Sequence, residues 1–290
     1  VAVAEPVRLH RGVSRIRLPR RLSANLPRWL NIAAASLFGL VTVIVLLAPV
    51  ISPHSPLLPA GPPLQAPGHA GFTLGSDSIG RDILSRVLYG ARASWFAALA
   101  VVASGIIVGG TVGLVAGTFG GWVDTVLMRI TDGFLALPAP VLAIAVVAAL
   151  GPSFTHTLIA VSIVWWPFYA RIVRGEIRML AARPHIEAAR LARERRSRIM
   201  FRHLMPGALP ATLVTASLDI GNLVLTLAGL SFLGLGQPAP AAELGADAAR
   251  NLSFLLQEWW IPVIPGIAVA VLALVGNIAG DGVRNLIDPD

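Results

Sequence analysis

Neither lysine nor cysteine occurs anywhere in the 290 residues. Without cysteine, disulfides, thiolate metal sites and cysteine nucleophiles are excluded. Without lysine there is no G-x-x-x-x-G-K-[ST] loop, because that motif needs its lysine to reach the β- and γ-phosphates of a bound nucleotide. Charge is scarce as well: 13% of residues are charged against 55% hydrophobic, and the mean hydropathy is +0.73. That balance belongs in a bilayer rather than in water. The six histidines, His10, His54, His69, His156, His185 and His203, show no metal-ligand spacing and no H-E-x-x-H, so no metal site is expected.

All 23 basic residues are arginine, giving a net charge of +8 and a pI near 11.5. They lie between apolar runs and do not alternate with aromatics, so they read as membrane topology and no nucleic acid is expected as a partner.

Six apolar runs can be counted. Leu30 to Ile51 is 22 residues without a charge, enough at about 1.5 Å per residue to cross a hydrocarbon core of roughly 30 Å. It is longer than a signal-peptide core and is expected to be an uncleaved anchor. Ala93 to Gly117 is the second run, and Gly105, Gly109, Gly113 and Gly117 place one small residue per turn on a single face. Such a stripe lets helices approach closely. Gly133 to Ala170 is uncharged for 38 residues, about 57 Å as one helix, so it must fold back, and Gly151-Pro152-Ser153 is the expected turn between spans three and four. Span three is expected to begin nearer Asp124, and Pro138, Pro140 and Pro167 to kink these helices. Ala211 to Gly236 makes span five, and Trp259 to Gly280 span six, with Trp259 and Trp260 as interfacial anchors.

With both termini inside, 19 of the 23 arginines are cytoplasmic, leaving Arg81, Arg86, Arg92 and Arg250 outside, as the positive-inside tendency favours. The expected organisation is therefore all-α and polytopic. It comprises a basic cytoplasmic segment (1–29), a first span (30–51), an external proline-rich loop and amphipathic segment (52–92), a five-helix core (93–281) containing a cytoplasmic segment (171–207), and a cytoplasmic tail (282–290). No soluble domain is left over, so energy must come from a partner.

Within 171–207, Pro184 suits a first helical position and Glu187 falls in the first turn, where a carboxylate complements the helix dipole. A second helical stretch, Ser197 to Leu204, is expected to end at Met205-Pro206. Read from the residues alone, this basic segment is either held by anionic lipid or is a protein docking site.

The order Glu187-Ala188-Ala189, then 16 residues, then Pro206-Gly207-Ala208-Leu209-Pro210 resembles the EAA signature of bacterial ABC importer permeases. Arg193 stands where the family pattern has glycine, which points to a more continuous helix than the family's helix-turn-helix. Leu74 to Arg86, continuing as Leu88-Tyr89-Gly90-Ala91-Arg92, together with Leu230 to Gly236 and Gly280 to Arg284 through Asp288-Pro289, resembles the C-type permeases of peptide and nickel importers. Leu227 and Leu244 replace a glutamate and a tryptophan frequent in that family. The resemblance implies a type I ABC importer permease fold with six transmembrane helices, in a bacterial cytoplasmic membrane. It implies ATPase coupling through Glu187, Ala188, Ala189, Arg190, Pro206 and Pro210. The implied partners are a paralogous permease, two ABC ATPases or one fused ATPase, and an external solute-binding protein. No cofactor is implied in this chain, ATP and Mg belonging to the ATPases, and no catalytic residue. The implied cargo is di- or oligopeptide, with nickel or haem as the alternative.

Asp219 is the one carboxylate inside an apolar span away from its ends, and Asn222 lies one turn on. A central carboxylate costs roughly 2.5–3.5 kcal/mol on insertion scales, so it should face the interior, either lining a translocation path or making a helix-helix hydrogen bond. Asp77, Arg81 and Asp82 lie where Arg81 to Tyr89 could form an amphipathic helix along the outer face. They either contact the binding protein or pair with one another, and Glu243, Asp247 and Glu258 admit the same two readings. A self-sufficient secondary transporter should carry several intramembrane charges, and an intramembrane enzyme paired catalytic groups. One aspartate supports neither well.

Overall fold

The computed structural model describes residues 28–69 and 71–287. Most of the basic head, Arg8 to Arg21 included, and the Asp288-Pro289 end of the last motif lie outside the described residues. Among those described, the regular structure is helical apart from one isolated antiparallel bridge, Ser76 with Asp82.

The first apolar run is divided. Helix α1 (Arg28–Leu46) stops one residue short of α2 (Ala48–Ile51), where Pro49 supplies no N–H for the carbonyl of Val45. Residues 52–82 form an irregular but packed loop, as its prolines led one to expect, with Phe72 buried in it. Helix α3 (Ile83–Phe119) is a single helix of 37 residues. The segment Arg81 to Tyr89 is therefore no separate surface helix: Asp82 caps α3, and Ile83 onward is its first turns.

Gly120 and Gly121, at φ 64° and 53°, turn the chain sharply from α3 into α4 (Gly121–Leu135). Prolines 138 and 140 do more than kink the next span, because α5 (Ala139–Leu150) leaves α4 at 84° after a break. The expected reversal at Gly151-Pro152-Ser153 is present, Gly151 taking φ 90°, and leads to α6 (Phe154–Ala181), which continues through Pro167. Then come α7 (Pro184–Leu191), α8 (Arg196–Ile199), a π-helical turn (Met200–Leu204) and α9 (Met205–Phe232). The second cytoplasmic stretch was expected to end at Met205-Pro206, yet it runs straight into α9. Pro206 and Pro210 deprive the carbonyls of Arg202 and Pro206 of their donors, and the wider turn, with the Met205 N–H reaching the Met200 carbonyl, absorbs the mismatch. After α10 (Leu244–Arg250), α11 (Trp260–Ile287) runs on through most of what was expected to be a tail.

By length and composition four helices can cross a membrane, Ile83–Phe119, Phe154–Ala181, Arg196–Phe232 and Trp260–Leu286, and the bent pair α4–α5 passes the same test jointly. Asn31–Leu46 is apolar but shorter.

The glycine stripe explains how the bundle closes. A Cβ on Gly109 would lie 2.2 Å from the Trp166 carbonyl oxygen and one on Gly113 2.4 Å from that of Ala170, so α3 and α6 meet backbone to backbone. Gly105 and Gly117 face Tyr169 and Ile177 in the same way. In lipid, where apolar burial between helices gives little drive, this contact is what dispersion can use. Helices α9 and α11 repeat the device at Gly221, Gly276 and Gly280. Trp95, Val101, Val147, Val161, Leu223 and Val224 fill the shared core. At one end of the bundle Asn285 Nδ2 donates to Asn31 Oδ1 (3.3 Å), which brings the start of α1 beside the end of α11. At the other end Trp260 packs against Ile83 and over Gly75, so it is an internal contact, and Trp259 alone of the tryptophan pair is exposed.

Candidate functional site

The segment 171–207 builds a small platform. Helix α7 starts with Pro184 at its first position and Glu187 in its first turn. Glu187, Ala188 and Arg190 are exposed, as are Pro206 and Pro210 further on, and Ala189 is half-buried. Beneath them Ile186 is 1% exposed and packs with Ile177 and Leu180 of α6, Leu114 of α3 and Ile199, Leu204 and Ala208 of the α8–α9 stretch. Ile186, with the half-buried Ala189 beside it, thus ties α7 into a buried cluster that α3, α6 and α9 share.

The expectation of a more continuous helix at Arg193 is not met. Arg193 adopts φ 56°, the left-handed conformation natural to glycine. The Arg193 N–H reaches the Arg190 carbonyl (3.0 Å) and the Glu194 N–H the Ala189 carbonyl (3.1 Å), the paired bonds of a Schellman ending. The backbone rather than the side chain dictates the turn, and Arg193 occupies it at a cost of about 1–2 kcal/mol.

Three arginines of α6 meet α4 beside this platform. Asp124, 5% exposed, accepts from Arg174 through both Nε and Nη2 (the latter at 2.8 Å) and from Arg178 Nη2 at 2.5 Å, and Arg171 pairs with Asp132 at 2.6 Å. In the sequence pattern these arginines read as topology alone. The signal was there: positions 171, 174 and 178 share one helical face, and so do 124 and 132.

On the opposite end Arg86 is the keystone. Its side chain is 4% exposed, and Nε and Nη2 fork onto the Asp247 carboxylate of α10 at 3.1 and 2.5 Å. Nη1 donates to the carbonyls of Pro56 (2.7 Å) and Pro240 (3.2 Å), and Nη2 to that of Ala241 (3.0 Å). All five guanidinium hydrogens are thereby used. Burial lifts the Asp247 carboxyl above the ordinary aspartate value, offset in part by Arg86. Burial likewise raises Glu243, which accepts from the Ser231 hydroxyl and from the Gln237 N–H (2.7 Å).

Asp77 and Asp82 are 2% and 1% exposed. Asp77 accepts from the N–H groups of Ile79 and Arg81 and pairs with Arg81 Nε at 2.6 Å, and Asp82 caps α3 through the Ser85 N–H. Their oxygens are turned into the loop, and Arg81 is nearly enclosed.

Asp219 sits midway along α9, buried, and accepts from Trp165 Nε1 and from the Tyr169 hydroxyl (3.2 Å), both on α6. This is a helix-helix hydrogen bond. Asn222 is exposed one turn on, so the two side chains do not share a surface.

Residues 109–290 match the family model described as the binding-protein-dependent transport system inner membrane component. The chain is 36% identical over 260 residues to the probable D,D-dipeptide transport system permease of Escherichia coli K12, covering 90% of this chain and 87% of that one. It is 40% identical over 226 residues to the dipeptide transport system permease of Alkalihalophilus pseudofirmus (78% and 74%). A glutathione transport system permease of Pectobacterium atrosepticum is 41% identical over 216 residues (74% and 72%). The inward-facing MetNI methionine ABC transporter aligns with a TM-score of 0.58 at 18% identity, covering 71% of this chain and 98% of that one, a likeness of fold. With well over half its length matched and a platform where the importer signature falls, the chain belongs to the binding-protein-dependent inner membrane permeases of ABC importers.

Proposed function

We propose that this chain is one of two paired permeases that carry di- or oligopeptides inward, with ATPases seated on α7 and an external solute-binding protein handing over the cargo. The peptide cargo follows the relatives named for dipeptide and D,D-dipeptide transport. The subunit is non-catalytic. Lacking a lysine-bearing phosphate loop, it takes its energy from two separate ATPases or a fused one, where ATP and Mg bind.

The observation that carries this reading is the attachment of α7. Its upper face, with Glu187, Ala188 and Arg190, is open to a partner, while Ile186 beneath it is locked among α3, α6 and α8–α9. A push on α7 therefore moves long helices, and the subunit acts as a two-state element biased from both sides of the membrane. In this reading α1–α2 and the bent pair α4–α5 each count as one crossing, giving six with both ends cytoplasmic, and the adjacency of Asn31 and Asn285 supports ends on one side.

The path is lined by the exposed face of α9 at Asn222, with Asp219 behind it orienting α9 against α6. Asp77, Arg81 and Asp82 serve the binding protein by fixing the shape of the outer loop it meets. Dipeptide uptake into vesicles holding the full complex should require ATP and cease when the ATPases are omitted. Uptake driven by an ion gradient without them would overturn the proposal.

A further inference from the structure

The four arginines at the α10 end of the bundle are not equally employed. Arg81 is paired with Asp77, Arg86 with Asp247, and Arg250 lies 3.7 Å from Asp247 and donates to the Gln237 carbonyl. Arg92 is half-buried, yet it makes no ion pair or hydrogen bond among the described residues. Tyr89, Arg92, Ala93 and Phe96 recur at three- and four-residue intervals on one face of α3, and they meet Phe154 and Leu158 of α6 across a cleft of about 390 Å³. Phe154 and Leu158 pack on the shared core, so that wall is fixed. Phe154 also lines a second cleft, of about 490 Å³, together with Thr155 and the loop 237–241. Arg86 holds this loop by the carbonyls of Pro240 and Ala241. The two clefts therefore meet at the start of α6, and each has a volume within the roughly 300–1,000 Å³ of ligand sites.

The chemistry changes along this groove. Around Arg92 it is aromatic and aliphatic, with the Tyr89 hydroxyl as the other polar group. Beyond Phe154 the hydroxyl of Thr155 and the side-chain amide of Gln237 line it, and neither has a hydrogen-bond partner among the described residues. An unpaired guanidinium suits a carboxylate, which it can take with two parallel N–H···O bonds, and the rings beside it suit an apolar side chain next to that carboxylate. Thr155 and Gln237 suit amide groups. A carboxylate, an apolar side chain and then amides is the order met at the carboxyl end of a peptide. A phospholipid would satisfy Arg92 but bring acyl chains to Thr155 and Gln237.

We propose that Arg92 takes the terminal carboxylate of the peptide cargo, with the last side chain between Phe96 and Phe154 and the preceding amide toward Gln237. This rests on the peptide cargo and the external placement of this end given above. The test is photolabelling of the assembled complex, paired permeases with ATPases, in phosphatidylcholine nanodiscs without binding protein. The probe is alanyl-p-benzoylphenylalanine, compared with its carboxamide, and the label is located by mass spectrometry. The acid should label the segments around Phe96 and Phe154 about tenfold more than the amide, the margin expected of hydrogen bonds to a charged group. Arg92→Gln should lose that margin while still taking the amide, which shows that the groove is intact, and Arg92→Lys should keep part of it. Equal labelling of the wild type by acid and amide overturns the proposal, as does an unchanged margin in Arg92→Gln. Loss of the label when phosphatidylglycerol is added to the nanodiscs assigns Arg92 to a lipid headgroup and overturns it too. ATP-driven peptide uptake without the margin sinks this inference alone, and the margin without ATP-driven uptake sinks the importer reading alone.

Discussion

Removing Arg86 should release the whole cap that loop 52–82 and α10 form over this end of the bundle. Arg86→Ala takes five donors from a buried position and leaves the Asp247 carboxylate, 6% exposed, with only the more exposed Arg250 at 3.7 Å as counter-ion. Breaking a buried pair from one side costs about 3–5 kcal/mol. Each of the three abandoned carbonyls, Pro56, Pro240 and Ala241, adds up to about 1–3 kcal/mol where water does not reach it. Even about 3 kcal/mol corresponds to roughly 150-fold more opening. Hydrogen exchange reads this at the amides of Ala60, Ser76 and Asp247, whose bonds to Gly80, Gln65 and Glu243 hold the cap. The double variant Arg86→Leu/Asp247→Leu should recover part of the loss, since no bare charge remains, but not the share owed to the carbonyls. The ion pair also sets a pH dependence. Without Arg86 the already raised Asp247 carboxyl rises further, so the damage in Arg86→Ala should shrink as the medium is acidified and Asp247 becomes neutral. Less than a tenfold change in exchange, or strictly additive single and double variants, would refute the reasoning.

Glu243 gives a second pH signature. A carboxyl raised by burial contributes stability that is full below the ordinary glutamate value and is lost as pH rises through the raised one, so exchange at the Gln237 amide, corrected for its intrinsic rate, should quicken over that window and flatten in Glu243→Gln. Arg193→Gly should be neutral or raise stability by up to about 1 kcal/mol, because relief of the left-handed strain outweighs glycine's extra freedom when unfolded, whereas Arg193→Val should lose stability. Thermal midpoints in the opposite order would contradict the Schellman turn. Gly109→Ala should cost about 1–3 kcal/mol by pushing α3 off the Trp166 carbonyl, while Gly110→Ala, with only Ile106 at 4.0 Å, should be harmless. Equal effects at the two positions would mean that α3 and α6 do not meet at the stripe.

Much of this architecture could be read from apolar run lengths and small-residue spacing, because both express a physical demand of the bilayer. The stripe from Gly105 to Gly117 and the reversal at Gly151 are cases where the sequence pattern and the packing coincide. Helix ends were less legible. The start of α3 among charged residues and the run of α8 into α9 through two prolines depend on caps and on a π turn, which uncharged-run counting does not register. The Arg193 turn shows the same limit, since a residue with no intrinsic taste for φ 56° is held there by two backbone bonds. Positions such as Arg86 and Asp247 lie 161 residues apart, and no local period announces their pairing. The charge of Asp219 marked it for burial, but only the ring groups of Trp165 and Tyr169 say what it bonds.

The proposed function turns on α7 receiving the ATPase. The most direct measurement is retention of the ATPases by the purified permease pair, compared between the wild type and Glu187→Ala together with ATP-driven peptide uptake in proteoliposomes. Glu187 is exposed and touches nothing that holds the fold, so membrane insertion and thermal midpoint should be preserved while ATPase retention and uptake fall together. Wild-type retention and uptake in Glu187→Ala would contradict the account.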